Sequence, residues 1–207
     1  MGFYERVVVP YCVEITCGMR SLIPERQKTV SGLEGTVLEI GFGSGLNLPL
    51  LPRSVERLLA VEPSERARHI AQKRTAQLHC PVDFIGLDAE TIQAPDASVD
   101  SALSTFTLCT IPDAVQALRE VRRVLKPNGR LFFLEHGRAP DPGVARWQDR
   151  LNGLQRALGG GCNLNRDMPA LLRAAGFEMD QLDAGYFPKI PRTHGYLVRG
   201  SAIAARG

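Results

Sequence analysis

Residues 36–45 of this 207-residue chain, Thr-Val-Leu-Glu-Ile-Gly-Phe-Gly-Ser-Gly, carry its clearest structural pattern. The first five residues are mostly apolar or β-branched, a composition typical of a buried central strand. Glycines at 41, 43 and 45 follow at once. Glycine lets a backbone turn tightly and approach a ligand with no Cβ in the way. The stretch therefore predicts a strand that ends in a ligand-binding loop.

Further apolar runs and capped helices alternate along the chain. Ser64 is placed to cap a helix that continues to about Arg74, and Asp113 to cap a second helix that residues 127–129 stop. Residues 170–175 close a third helix. This alternation predicts an α/β fold, a Rossmann-like doubly wound, mostly parallel seven-stranded sheet with helices on both faces. The predicted strands are 36–40, 58–61, 82–85, 99–103, 131–134, a run from 177 onward, and 196–203.

An acidic residue ends the second predicted strand. Glu62 follows the apolar run 58–61, and it comes about 20 residues after the glycine loop, where an acid can accept hydrogen bonds from a ribose diol. A glycine loop after one strand and an acid after the next must meet over the same ligand. A plain turn with a buried strand acid is the structural alternative.

The spacing of the glycines indicates which kind of nucleoside the loop would bind. Dinucleotide-binding loops have the spacing G-x-G-x-x-G, which lets a helix N-terminus receive pyrophosphate. Here Gly45 comes one residue early, and Glu39 stands two residues before Gly41. A carboxylate beside the loop would repel pyrophosphate but could hold the ammonium of an amino acid. The pattern favours a nucleoside with a cationic, phosphate-free tail.

These stretches resemble the class I S-adenosylmethionine-dependent methyltransferases. Residues 39–45 resemble their motif I, and Glu62 resembles the acid of motif II. Residues 86–90, Gly-Leu-Asp-Ala-Glu, resemble the next motif, where the acid and the following amide hold the adenine. Residues 96–100 and 125–129 resemble the quinone-biosynthesis type, also called methyltransferase type 11.

The resemblance implies S-adenosylmethionine as cofactor and a role for each matching residue. Glu39 and the three glycines would line its methionine and ribose portion, and Glu62, with Pro63 beside it, would take the ribose hydroxyls. Thr105, at the end of the fourth strand, would lie near the transferable methyl group. The implied cofactor-binding residues are Glu39, Gly41, Gly43, Gly45, Glu62, Pro63, Asp88, Ala89 and Thr105.

The chain is predicted to form one domain over residues 1–207, because no linker composition interrupts it. Residues 36–136 would form the cofactor-binding half and residues 137–207 the acceptor-side half. Residues 1–30 are predicted to form an arm of two short helices broken around Pro24. Its apolar side chains need a surface to cover, so the arm would act as a lid or touch a membrane surface.

Charge and composition indicate which kinds of molecule the chain is expected to bind. The net charge is only +3, and the basic residues are spread along the chain. No basic run or aromatic platform accompanies them, so a small-molecule acceptor is predicted and a nucleic-acid partner is not. The sequence leaves the oligomeric state open.

The number and spacing of the cysteines indicate whether the chain forms disulfides or binds zinc, and in which cellular compartment it is expected. An odd count and the absence of any Cys-x-x-Cys pair argue against a disulfide framework and a zinc site, so no metal is predicted. A reducing, cytoplasmic location is expected. The five cysteines are Cys12, Cys17, Cys80, Cys109 and Cys162.

Three strings in the second half of the chain concern the acceptor. Residues 107–111, 135–137 and 161–167 resemble a bacterial branch related to mammalian methyltransferase-like proteins that methylate small thiols. This resemblance implies a thiol as the preferred acceptor. Those relatives begin with a hydrophobic membrane anchor, whereas the nearly uncharged stretch 7–19 is too short and interrupted for a membrane span or a signal peptide.

Several side chains are candidates for the acceptor side. His136 ends the fifth predicted strand, so it could contact the substrate, act as a general base, or simply fix the following loop. Cys109 and Cys162 are expected to be buried thiols, because direct methyl transfer needs no covalent enzyme intermediate. Other candidates for the acceptor pocket are Asn163, Asn165, Arg166 and His194.

Three alternatives to a thiol methyltransferase remain at this point. The acceptor could be a phospholipid amine or a quinone ring, which the apolar arm would favour. The glycine loop alone would also suit a nicotinamide-dependent dehydrogenase, although its spacing disfavours this. A cofactor-binding module without enzymatic activity is the third alternative.

Overall fold

The computed structural model describes residues 8–188 and 190–204, and seven strands there form one sheet. The strands are β1 (Gly35–Ile40), β2 (Val55–Val61), β3 (Val82–Gly86), β4 (Val99–Thr105), β5 (Leu125–His136), β6 (Phe177–Tyr186) and β7 (Tyr196–Ala204). Their order is β3-β2-β1-β4-β5-β7-β6. The first five are mutually parallel, and β7 runs antiparallel to both β5 and β6. The predicted mostly parallel seven-stranded sheet is confirmed.

The helices are α1 (Val9–Cys17), α2 (Ile23–Val30), α3 (Glu65–Thr75), α4 (Ala114–Val124), α5 (Pro142–Leu158), α6 (Met168–Ala174) and α7 (Arg192–Gly195). Two predicted caps are confirmed. The Ser64 hydroxyl accepts from the Ala67 amide at 3.2 Å, and the Asp113 carboxylate accepts from the Gln116 amide at 2.9 Å.

Two local predictions differ from the structure, and one helix was not predicted. Pro24 does not break a helix but lies in the first turn of α2, where the missing N–H costs nothing. Residues 127–129 do not stop α4, which ends at Val124, and they belong to β5 instead. Helix α5 was not predicted, because its buried side includes little more than Ala145 and Gln148. Without a clear apolar stripe, periodicity cannot reveal a helix.

Both faces of the sheet are covered, as the alternation of side chains along each strand requires. In β1, Leu38 and Ile40 pack in one core cluster with side chains of α4 and α6. Val37 points the other way and packs with Val30 of α2 and Ala71 of α3. A strand buried on both faces is apolar at nearly every position, which explains the composition of residues 36–40.

The strand order places the ligand loop. From β1 the chain builds β2 and β3 on one side, and it then returns to the other side of β1 with β4. The order therefore reverses between β1 and β4, and open α/β sheets bind ligands at this switch point, beyond the carboxyl ends of the strands. The glycine loop after β1 and the loop after β4 both begin there. No helix in the described part of the chain is long and apolar enough to cross a membrane.

Candidate functional site

A cavity of about 400 Å³ lies at the carboxyl ends of β1, β2 and β4, and this volume is in the range of small-molecule sites. Seven of the ten predicted site residues line it. They are Gly41, Gly43, Glu62, Pro63, Asp88, Ala89 and Thr105. The other three, Glu39, Gly45 and His136, lie outside the residues that line this cavity.

The glycine loop needs its glycines for two different reasons. Gly41 and Gly43 have φ angles of +65° and +58°, which L side chains rarely adopt. A Cβ on Gly41 would lie 2.0 Å from Thr107 Oγ1, so Gly41 is required by packing. A Cβ on Gly43 would meet nothing closer than Gly41 O at 3.9 Å. Gly43 therefore borders open space that a bound ligand can fill.

Glu62 ties the end of β2 to this loop. Its Oε2 accepts from the Gly43 amide and its Oε1 from the Ser64 amide, each at 2.7 Å. Burial raises the pKa of Glu62, and the two amide hydrogen bonds oppose that rise. A carboxylate has about four acceptor positions, so each oxygen can accept one more hydrogen bond from a hydroxyl of a ligand in the cavity.

Glu39 is buried behind the cavity wall. Asn47, which lines the cavity, donates from Nδ2 to Glu39 Oε1 at 2.6 Å. Among the described residues, Glu39 Oε2 has no hydrogen-bond partner. Burial raises the pKa of Glu39 to about 7. A buried carboxylate oxygen without a donor is costly, and a ligand ammonium would supply that donor. The loop, Glu62 and Glu39 thus fit a ribose-bearing ligand with a cationic tail.

Arg26 of α2 is a site residue that sequence reasoning missed. Its guanidinium is buried and donates from Nη1 to Asn47 Oδ1 at 2.7 Å and to Thr105 Oγ1 at 3.0 Å. The Cys17 carbonyl accepts from its Nε and Nη2. The guanidinium also lies over the Phe106 ring, 5.3 Å from the ring centroid. A positive charge is therefore fixed at the cavity, held by residues far apart in sequence.

Helix α1 forms one wall of the cavity through Val9, Pro10, Val13 and Cys17. It is tied to α3 by an ion pair in which Arg74 Nη2 lies 2.6 Å from Glu14 Oε1. The Ser44 hydroxyl also donates to Glu14. Burial alone would raise the pKa of Glu14, but the hydrogen bonds from Arg74 and Ser44 outweigh it and the pKa is lowered. Helix α1 thus contacts the glycine loop at Ser44.

A buried carboxylate, Glu135, holds the loop after β4 in place. Glu135 accepts from the amides of Thr107, Leu108 and Cys109 at 3.0 to 3.2 Å and from the Ser104 hydroxyl at 2.7 Å. Burial raises the pKa of Glu135. Because four donors converge on it, this side chain fixes the loop that borders the cavity. No local pattern in the sequence indicates this role of Glu135.

His136 lies beside this loop and faces two sulfur atoms. Its Nδ1 is 3.6 Å from Cys162 Sγ and 3.9 Å from Cys109 Sγ, and the two sulfurs are 3.5 Å apart. The His136 ring also packs on Phe106, which lines the cavity. The hydrogen bonds with Cys109 and His136 lower the pKa of the Cys162 thiol, whereas that of Cys109 is raised. Both cysteines are buried, as the sequence predicted.

Two of the four remaining acceptor-side candidates hydrogen-bond to the loop that carries Cys109. Asn163 donates from its Nδ2 to the Cys109 carbonyl at 2.9 Å, and Arg166 donates to the Leu108 carbonyl. Asn165 instead binds Asp149 at an exposed position. His194 contacts Thr193, and burial lowers its pKa. None of these four is among the residues that line the cavity.

Comparisons with known proteins identify the class. A family model described as "Methyltransferase domain" matches residues 38–133. The fold resembles a SAM-dependent methyltransferase from Thermotoga maritima with a TM-score of 0.66, at 24% identity and with 97% of each chain covered. The fold is thus that of the class I methyltransferases.

Curated relatives define the family within this class. The chain is 30% identical to thiol S-methyltransferase TMT1A of Homo sapiens, over 95% of this chain and 84% of that protein. It is 34% identical to thiol S-methyltransferase TMT1B of Rattus norvegicus, over 72% of this chain and 63% of that protein. The chain belongs to the S-adenosylmethionine-dependent methyltransferase family that includes these proteins. The predicted family and its cofactor, S-adenosylmethionine, are confirmed.

Proposed function

We propose that this protein transfers the methyl group of S-adenosylmethionine to the sulfur of a small thiol. One arrangement supports the donor half of this proposal: the open glycine loop and Glu62 line a single cavity. Glu39, whose Oε2 has no hydrogen-bond partner among the described residues, lies behind the wall of that cavity against the lining residue Asn47. The choice of a thiol as acceptor is supported by the thiol S-methyltransferases to which the chain is similar.

The donor site follows from the cavity residues. Gly43 would allow the sugar to approach the backbone, and Glu62 would accept from the ribose hydroxyls. Glu39 would hold the ammonium of the methionine portion. Asp88 and Ala89 would border the adenine, and the hydrogen bond from the Glu90 amide to Asp88 Oδ1, at 2.8 Å, orients that carboxylate. When bound, the donor supplies a methyl group on a positively charged sulfur.

The acceptor must arrive as a thiolate, because the thiolate is the nucleophile. Arg26 holds a buried positive charge at the cavity, and such a charge favours a thiolate over a thiol. The thiol proton would leave to water before transfer. The thiolate sulfur then bonds to the methyl carbon as the bond from that carbon to the donor sulfur breaks. Positioning and exclusion of water are what the protein contributes. His136 as substrate contact or base stays a prediction.

The acceptor class is tested with a donor that carries an isotope-labelled methyl group, offered to thiols, amines, phenols and lipid extracts in parallel. We expect labelled thioethers from small aliphatic and aromatic thiols, with no product from amines or phenols. Labelled amine, phenol or quinone products without thioethers would contradict the proposal. A protein that binds the donor but labels nothing would be the non-enzymatic module.

Helix α1 also supports a peripheral contact with membranes. Its outer side exposes Ile15 at 72% and Tyr11 at 41% of their surface, and exposed apolar side chains on a helix suit a membrane surface. Thioether formation from water-soluble thiols at full rate without liposomes would limit this contact to a secondary role. We further propose a cytoplasmic location, because all five cysteines are free thiols.

Donor affinity is expected to rise about tenfold between pH 5.5 and pH 7, because Glu39 must be ionised to hold an ammonium. The pKa of Glu39 is about 7 without the donor, whereas an α-amino group stays protonated below about pH 7.7. Isothermal titration calorimetry across this pH range measures how the donor affinity depends on pH. Binding near pH 6 should also release a proton, which titrations in buffers of different ionisation enthalpy detect.

The matched variant is Glu39→Gln, which keeps the acceptor for Asn47 but cannot ionise. Its donor affinity should be lower and nearly constant from pH 5.5 to 7. Without the donor, the folded state binds this proton more tightly than the unfolded state, whose Glu has a pKa of 4.5. Stability from Glu39 should therefore fall as the pH rises from about 4.5 to 7, and Glu39→Gln should remove that fall. If the donor affinity of Glu39→Gln rises with pH as it does in the unaltered protein, Glu39 does not hold the ammonium.

A further inference from the structure

Cys109, His136 and Cys162 form a compact group of ligand atoms that the proposed methyl transfer does not use. Their two Sγ atoms and the His136 Nδ1 all lie within 4.8 Å of one another. Each comes from a different element: the loop after β4, the end of β5, and the loop after α5. In the described ranges 8–188 and 190–204, no other group of three or more His, Cys, Asp or Glu side chains is placed in this way.

The dimensions of this triangle match those of a zinc site. With Zn–S bonds of about 2.3 Å and Zn–N bonds of about 2.0 Å, tetrahedral coordination places two sulfurs ~3.8 Å apart and a sulfur and a nitrogen ~3.5 Å apart. The observed Sγ–Sγ distance is 3.5 Å, and the two Sγ–Nδ1 distances are 3.6 and 3.9 Å. A metal ion can therefore be bound with shifts of a few tenths of an ångström.

We propose that Cys109, His136 and Cys162 bind a thiophilic divalent cation, Zn²⁺, with one coordination position left for a ligand that is not protein. Two Cys ligands and one His ligand with an open position are known from catalytic zinc sites. Two thiolates also neutralise the charge of the cation, so the buried unit carries no net charge. This lowers the cost of placing the cation in the interior.

Hydrogen bonds around the group hold its ligands in place, as outer contacts do at metal sites. The Cys109 amide donates to Glu135 Oε2 at 3.2 Å, and its carbonyl accepts from the Asn163 amide at 2.8 Å. The Cys162 amide donates to the Gly159 carbonyl at 3.2 Å. Packing against Phe106 fixes the plane of the His136 ring, with a centroid separation of 5.1 Å. The three ligand atoms are thus preorganised.

The sequence predicted no metal because no two cysteines have the Cys-x-x-Cys spacing. That spacing signals sites built from one short loop. Here the ligands are 26 to 53 residues apart in the chain, and only the convergence of three strand and helix ends at one edge of the sheet brings them together.

Co²⁺ titration of the reduced protein, under anaerobic conditions and without donor or acceptor, tests the proposal. We expect one Co²⁺ per chain, with the near-ultraviolet absorption of sulfur-to-cobalt charge transfer and visible bands of tetrahedral cobalt, and displacement by Zn²⁺. Cys162→Ser and His136→Ala should each weaken binding by at least about 100-fold. Cys12→Ser removes an exposed cysteine and should bind like the unaltered protein.

Three outcomes would overturn the proposal: no charge-transfer band with the unaltered protein, an undiminished band in Cys162→Ser, or loss of the band in Cys12→Ser. Circular dichroism shows whether each variant is folded. If Cys162→Ser does not fold, the partly exposed His136 provides the decisive variant. Because no donor is present, a negative result here leaves the proposed methyl transfer untouched, and failed methyl transfer leaves the metal site untouched.

Discussion

Gly43→Val is expected to reduce the affinity for S-adenosylmethionine by at least about 100-fold, or ~2.7 kcal/mol, while the chain stays folded. Gly43 has a φ angle of +58°, and its Cβ position borders open space in the cavity. The branched side chain would occupy that space, and a left-handed conformation costs a β-branched residue ~1–2 kcal/mol. The strain loosens the loop while the added methyl groups exclude the ligand. Isothermal titration calorimetry measures the loss.

Gly153→Ala is the matched control, because this glycine is exposed on α5 and its Cβ would meet nothing within 4 Å. It should bind the donor normally and be slightly more stable, by ~0.5–1 kcal/mol. Gly41→Ala should instead fail to fold well, since its Cβ would collide with Thr107. Normal donor binding by folded Gly43→Val would place the donor elsewhere than in this cavity.

Arg26→Ala is expected to lower the free energy of unfolding by ~1–3 kcal/mol, the range for leaving buried hydrogen-bond acceptors without their donor. Without the guanidinium, Asn47 Oδ1 and the Cys17 carbonyl lose their buried donor. Glu39 also loses the positive charge that opposes the rise of its pKa. Urea denaturation followed by circular dichroism measures the change, and its midpoint should shift with little change in slope.

Lys28→Ala serves as the control, because it lies on the same helix with 56% of its side chain exposed. Its loss should change stability by less than ~0.5 kcal/mol. Methyl transfer by Arg26→Ala should fall more than its folded fraction accounts for, since the charge that favours a thiolate is gone. A variant with unaltered stability and rate would show that the guanidinium is not held as the hydrogen bonds indicate.

The two walls of the cavity are held in place by different interactions. The glycine loop, Glu62 and Asp88 all follow strands of the sheet, and this half is held rigidly by strand pairing. The opposite wall is α1, whose link to α3 includes the ion pair between Glu14 and Arg74. A half-buried ion pair is weaker than a paired strand. The wall that carries the glycine loop is therefore the fixed part of the cavity.

The sheet, the glycine loop and the acid that meets it could all be predicted from the amino-acid sequence. These features rest on short-range rules. A doubly buried strand is apolar at nearly every position, as in residues 36–40, and glycine alone suits the positive φ angles that follow. Once the strands are parallel and adjacent, their carboxyl ends share one edge, so Glu62 had to lie near Gly43.

The residues that complete the site could not be predicted in this way, because they meet only when the helices and loops pack on the sheet. Arg26 resembles any charged residue of a surface helix until α2 packs on the sheet and buries it beside Asn47 and Thr105. Cys109 and Cys162 resemble ordinary core thiols until two loops bring them to 3.5 Å. Contacts between residues far apart in the chain depend on how the elements pack, and no local pattern in the sequence records that packing.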